Sequence, residues 1–147
     1  MAEYALRPAG ETEASAIKDL IHLVGINPTG LDWKRFIVAV KADGQIIGCG
    51  QLKPHGGGIL ELASIATLPD YRNQGIASAI IELLLVKSPR PLHLMCESKM
   101  GSFYEKFGFQ RLPPAEMPRY FRRIVQLVGL ADLFSRSGET LLVMKLK

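Results

Sequence analysis

From Thr12 onward the apolar residues fall at Ala14, Ile17, Leu20, Ile21 and Val24, and this spacing predicts an amphipathic helix. Glu11 and Glu13 stand near its start, where acidic side chains favour the helix dipole. Ahead of it, EYALRPAGE reads as a short strand ended by Pro8 and Gly10; after it, GINPTGLDW is a turn-rich connection. FIVAVKADGQIIGCGQL reads as two strands about an Asp43–Gly44 hairpin turn. A second turn, His55 to Gly58, leads into the strand ILELASIAT. Helical spacing returns at Ala77, Ile80, Ile81, Leu84 and Leu85, until Ser88, Pro89 and Pro91 stop it. PLHLMCE predicts a strand, GSFYEKF a short helix closed by Gly108, and FGFQRL a further strand. YFRRIVQLVGLADLF predicts an amphipathic helix and ETLLVMKLK a final strand. The order predicts an α/β (α+β) protein with a central mixed sheet, antiparallel in its first half and flanked by helices.

Composition narrows the picture. A length of 147 residues suits one domain, taken here as residues 1–147, and is enough to bury a core. A hydrophobic content of 48% and a charged content of 22% belong to a globular chain. No charged and apolar leader and no run of eighteen apolar residues occurs, so a secretory signal and a membrane span are not expected. Cys49 and Cys96 lie far apart in apolar segments, which favours reduced thiols and a cytoplasmic location. A net charge of +4 suits an anionic ligand but is too mild and scattered to argue for nucleic acid. His22, His55 and His93 share no metal spacing, so no metal is expected; His55 reads as a loop residue, and His93 as a packed or surface ring.

The junction PDYRNQGIAS, residues 69 to 78, carries the chemistry. A strand that enters a turn and then a helix presents free N–H groups at the helix start, where an anion is favoured. Gly75 lets the backbone approach a ligand, Ala77 keeps the first turn open, and Arg72 adds positive charge. The stretch suits a pyrophosphate. It lacks the Gly-Lys-Ser/Thr of a Walker loop and the glycines of a Rossmann fingerprint.

Arg72-x-x-Gly75-x-Ala77 resembles the Gln/Arg-x-x-Gly-x-Gly/Ala loop of the GNAT superfamily, the acyl-coenzyme A dependent N-acetyltransferases. ASIATLPDYR before the loop and FYEKFGF after it are similar to neighbouring family segments. The resemblance implies a GNAT-like fold over nearly the whole chain and acetyl-CoA as co-substrate. The acceptor it implies is a primary amine on a small molecule or peptide, attacked directly with no covalent acetyl carrier. It places Ile65, Ala66, Thr67, Arg72, Asn73, Gln74, Gly75, Ile76 and Ala77 along the coenzyme, with the Ile65 N–H as oxyanion donor. Many relatives carry an asparagine after LHLMCE; here Glu97, Ser98 and Lys99 follow, and Ser98 is the substitute contact.

By the same resemblance Tyr104 is the acid for the departing thiolate, against the alternative of a packing tyrosine. Glu61 is the candidate base; its apolar neighbours should raise its pKa, and a solvated or substrate-binding glutamate is the alternative. Strand alternation puts Glu61 on the face of Ile65 provided no bulge intervenes. Asn27, Thr29 and Trp33 occupy the region where the family builds its acceptor wall.

The helix before the last strand is additional to many relatives. Phe121, Ile124, Val125 and Val128 form its stripe, Leu127, Leu130 and Phe134 widen it, and Arg119, Arg122 and Arg123 cluster at its start. It can cover the sheet, line an acceptor pocket with Arg119 and Arg122 favouring a carboxylate, or rest on an anionic membrane. A membrane partner and a nucleic-acid partner are not expected, and a monomer or homodimer is. A rival reading from another class is a non-catalytic module that keeps the coenzyme pocket and binds a partner.

Overall fold

A computed structural model describes residues 2–132 and 140–147, with backbone alone for residues 130–132. Its strands are β1 (Ala5–Pro8), β2 (Phe36–Val40), β3 (Ile46–Pro54), β4 (Leu60–Thr67), β5 (Leu92–Glu97), β6 (Gln110–Arg111) and β7 (Leu141–Leu146). Its helices are α1 (Ala14–Val24), α2 (Ile76–Lys87), α3 (Gly101–Glu105) and α4 (Arg119–Asp132). The strand order is β1-β2-β3-β4-β5-β7-β6. The β1–β2, β2–β3, β5–β7 and β6–β7 pairs are antiparallel, while β4 and β5 run parallel at the pair Glu61↔His93. The expected mixed sheet, antiparallel in its first half, is therefore present.

The chain divides into two compact units, Met1–Lys53 with Leu62–Ser88, and Pro54–Glu61 with Pro89–Lys147. In the first, α1 lays Ile17, Leu20 and Ile21 on Phe36, Val38 and Cys49. Its opening turn, Glu11–Glu13, is a 3-10 turn held by Glu13, which accepts from the Gly10 N–H at 2.8 Å and pairs with Arg7 at 2.6 Å. The α-helix therefore begins two residues later than the spacing suggested. Helix α2 buries Ile76, Ile80, Ile81 and Leu84. Gly50 admits it: a Cβ there would lie 2.6 Å from Ile65 Cδ1 and 2.9 Å from Ile80 Cγ2.

In the second unit Met117, Phe121 and Val143 form a core joined by Ile59, Met95, Leu112, Tyr120 and Val125. The apolar stripe of α4 explains this, since Phe121 is buried and Ile124, Val125 and Val128 are half-buried. Leu127 is 68% exposed and does not widen the stripe; the Leu130 side chain and Phe134 lie outside the described residues. Among the described residues no helix is long and apolar enough to cross a membrane.

Candidate active site

Strand β4 reaches the junction through a 3-10 turn at Pro69–Tyr71. The chain then bends twice into the left-handed region, at Asn73 (φ 63°) and at Gly75 (φ 79°). Gly75 is the N-cap of α2 and carries no side chain to satisfy the first helical amides, and no side-chain cap forms. Arg72 is exposed beside them and, among the described residues, makes no side-chain hydrogen bond or ion pair. Gln74 is engaged, its Oε1 accepting from the Ala2 N–H at 3.0 Å. Lys41 adds a second cation, donating to the Tyr71 hydroxyl at 3.1 Å. A Cβ on Gly75 would meet nothing within 4 Å, so only its backbone conformation demands glycine. Gly75→Val is expected to cost about 1–2 kcal/mol from the left-handed penalty. Chemical denaturation reads that loss.

Upstream, Ser64 sits at φ 58°, an unusual conformation for a residue with a side chain. Gln51 Nε2 donates to the Ser64 hydroxyl at 2.8 Å and to the Gly30 carbonyl at 3.2 Å, bracing that bend. The bend interrupts strand alternation, so the argument that put Glu61 on the face of Ile65 does not hold. Ile65 points toward Gly50, Ala66 is buried, and Thr67 ends β4.

Asn27 and Thr29 bond to each other: Asn27 Oδ1 accepts from the Thr29 N–H at 3.0 Å and from its hydroxyl at 2.7 Å. Trp33 packs on the core beneath α1. Lys53 went unnoticed in the sequence. It is 8% exposed and donates to the Thr29 carbonyl at 3.1 Å, with no carboxylate partner among the described residues. Its parity with buried Cys49 and Gln51 along β3 was the available signal.

In the second unit Glu61 is buried as expected, but not in an apolar setting. His55 Nε2 lies 2.6 Å from Glu61 Oε1, and each side chain is 7% exposed. The reading of His55 as a mere loop residue is thus corrected. The triple glycine explains its place: Gly56, Gly57 and Gly58 all have positive φ, and the His55 N–H donates to the Ile59 carbonyl at 3.0 Å. Tyr120 stacks on His55 with centroids 3.7 Å apart, and Phe121 meets it edge-on at 5.8 Å. His93 is a packed ring stacked on Phe121, with Nδ1 buried and unpartnered; burial, then Lys145, holds it below the usual imidazole range.

Tyr104 is 9% exposed. Burial, then the nearby Cys96, pushes its phenol well above the ordinary range. Burial takes the Cys96 thiol up to about 11 and the Cys49 thiol up to about 12. Both stay protonated at neutral pH, and a thiol that is not a thiolate is a poor acetyl carrier. Their unfolded counterparts ionise near 8.5–9, so unfolding releases protons above that range. Stability is expected to be full below about pH 8.5 and to fall as pH rises toward those two values, measured by urea midpoints between pH 7 and 11.

Ser98 is tied to the start of β7: the Thr140 N–H donates to its hydroxyl at 3.3 Å, and its own N–H to the Thr140 carbonyl at 2.8 Å. Arg119 is exposed, and Arg122 donates to the carbonyls of Pro114 (3.3 Å) and Met117 (3.1 Å) of its own loop. Among the described residues no group of three or more His, Cys, Asp or Glu could hold a metal ion.

The sheet order and the Gly75-opened helix after β4 describe the fold, and similarity to known proteins gives its family. The model of the GNAT acetyltransferase domain matches residues 32–111. The chain belongs to that family. No curated protein matches it in sequence. Among solved structures, N-acetylglutamate synthase from Neisseria gonorrhoeae, complexed with coenzyme A and N-acetyl-glutamate, is similar at TM-score 0.75 and 19% identity. All of this chain aligns with 36% of that protein, so it spans about a third of that relative's length. Rv2747 from Mycobacterium tuberculosis, in complex with CoA, is similar at 0.71 and 21% identity over 97% of this chain and 98% of that one. The ribosomal-protein-S18-alanine N-acetyltransferase from Escherichia coli is similar at 0.69 and 16%, covering 98% and 93%.

Proposed function

We propose that residues 1–147 are one N-acetyltransferase domain that moves an acetyl group from acetyl-CoA to a primary amine by direct attack. The observation that carries this reading is the entry to α2: an uncapped helix N-terminus opened by Gly75, with the exposed Arg72 beside it. Pyrophosphate oxygens are the natural acceptors for the amides of residues 74 to 77. In this reading Asn73 supplies the bend, Ile65 donates its N–H to the developing oxyanion, and Ala66 and Thr67 continue the coenzyme contact. Tyr104 gives a proton to the leaving thiolate, and Glu61 serves removal of the amine proton. The raised thiols of Cys49 and Cys96 favour direct attack over a covalent intermediate.

Lys53 favours a carboxylate-bearing acceptor, because a buried lysine that among the described residues meets a carbonyl and no carboxylate gains from an anion. The N-acetylglutamate synthase likeness agrees with that choice. A cytoplasmic monomer or homodimer that needs no metal completes the reading.

Thermal unfolding with acetyl-CoA, CoA, ATP and NADH in parallel tests it. Ligand at one hundred times its Kd adds about 2.7 kcal/mol, or roughly 5–10 °C for a chain of this size. A shift with both coenzyme A species alone is expected; a shift with ATP or NADH instead, or none, contradicts the assignment.

A further inference from the structure

We infer that the proton acceptor of this transferase is the His55 imidazole, with Glu61 as the carboxylate that positions it. The inference rests on the transferase reading above and changes which atom takes the proton. Three observations meet at His55. Its Nε2 is 2.6 Å from Glu61 Oε1, and an ionised Glu61 can only accept, which puts the hydrogen on Nε2. In a neutral ring this leaves Nδ1 with the lone pair, as in carboxylate–histidine pairs that serve as bases. Among the described residues Nδ1 makes no hydrogen bond. Finally, Tyr120 stacks on the ring and Phe121 meets it edge-on, so the imidazole is packed on two sides while it meets Glu61.

Glu61 faces the His55 ring from β4 and Tyr120 from α4; His93 on β5 stands behind Phe121, with Lys145 of β7 acting on His93. Burial, then the Glu61 charge, raises the Tyr120 phenol, so it stays neutral. His93 is likewise neutral at pH 7. Among the described residues Glu61 is the carboxylate that meets His55.

The transfer balances as follows. The amine nitrogen bonds to the thioester carbonyl carbon, and the proton it sheds passes to His55 Nδ1. The carbon–sulfur bond then breaks, sulfur keeps the electron pair, and it takes the Tyr104 hydroxyl proton. His55 returns its proton to solvent, and Tyr104 regains one from solvent. Amide and thiol are the only products.

The test compares the pH dependence of kcat/KM in the wild type, His55→Gln and Glu61→Gln, together with 15N imidazole NMR of the wild-type protein. An acid limb is expected in the wild type. In Glu61→Gln it should persist with activity reduced, because His55 remains the proton acceptor. In His55→Gln it should vanish, with activity down about 10²–10⁴-fold. The NMR should show His55 as the Nε2–H tautomer near pH 8. The opposite pattern, an acid limb that survives His55→Gln and vanishes in Glu61→Gln, makes Glu61 the acceptor and overturns the assignment. So does a His55 ring that is the Nδ1–H tautomer, or imidazolium throughout pH 6–9. If the wild type acetylates no amine, the transferase reading itself fails. An active enzyme whose acid limb is untouched in His55→Gln defeats only the role of His55.

Discussion

Tyr104→Phe is expected to slow acetyl transfer about 10²–10⁴-fold while leaving coenzyme A affinity and stability nearly unchanged. Tyr104 packs edge-on against Phe103 and Phe109, and the phenyl ring of phenylalanine keeps those contacts. Its hydroxyl has no hydrogen-bond partner among the described residues. Removing that hydroxyl should therefore cost less than about 1 kcal/mol, since no internal hydrogen bond is broken. A structural tyrosine would lose neither activity nor stability; a proton donor loses activity alone. The raised phenol keeps its proton throughout the working range, as the proposed acid must. An alkaline limb near neutrality should accordingly not disappear in Tyr104→Phe. Steady-state kcat beside a urea midpoint separates these outcomes.

Phe121→Ala is expected to destabilise the protein by about 3–5 kcal/mol, as loss of a fully buried phenyl ring does when its surroundings cannot collapse. Phe121 is completely buried, packs with Met117 and Val143, stacks on His93 at 5.3 Å and meets His55 edge-on. A helix that only covered a surface would yield less than about 1 kcal/mol on such a change. Leu127→Ala, on the 68% exposed face of the same helix, is the control and should be nearly neutral. Chemical denaturation of both variants reads the difference. Among the three roles considered for α4, its first turn both completes the second unit's core and walls in the His55–Glu61 pair.

The element order was legible because each device that sets it is local. Asp43–Gly44 makes its turn by itself: the Gly44 N–H donates to the Lys41 carbonyl, and Asp43 Oδ1 accepts from Gln45. The prolines after α2 end a helix whatever surrounds them. The junction at residues 72 to 77 was legible for the same reason, since a glycine between an arginine and a small residue is written contiguously. The His55–Glu61 pair was not. Six positions separate the two residues, and three glycines with positive φ fold the turn that joins them. Tyr120, which fixes the ring, comes from a helix far along the chain. Lys53 was hidden differently, because a lysine at a strand's end reads as solvated until its parity with Cys49 and Gln51 is followed. The Ser64 bend had no sequence signature, since serine rarely adopts positive φ and Gln51 braces it from another strand.

The proposed activity is transfer of an acetyl group from acetyl-CoA to an amine. The most direct measurement follows free thiol released from acetyl-CoA with and without a panel of amino acids, simple amines and short peptides, with mass analysis of the acceptor. Amine-dependent release matched by a product heavier by one acetyl group is expected, with carboxylate-bearing amines preferred. Tight coenzyme A binding with no amine-dependent release and no acetylated product across the panel would contradict it.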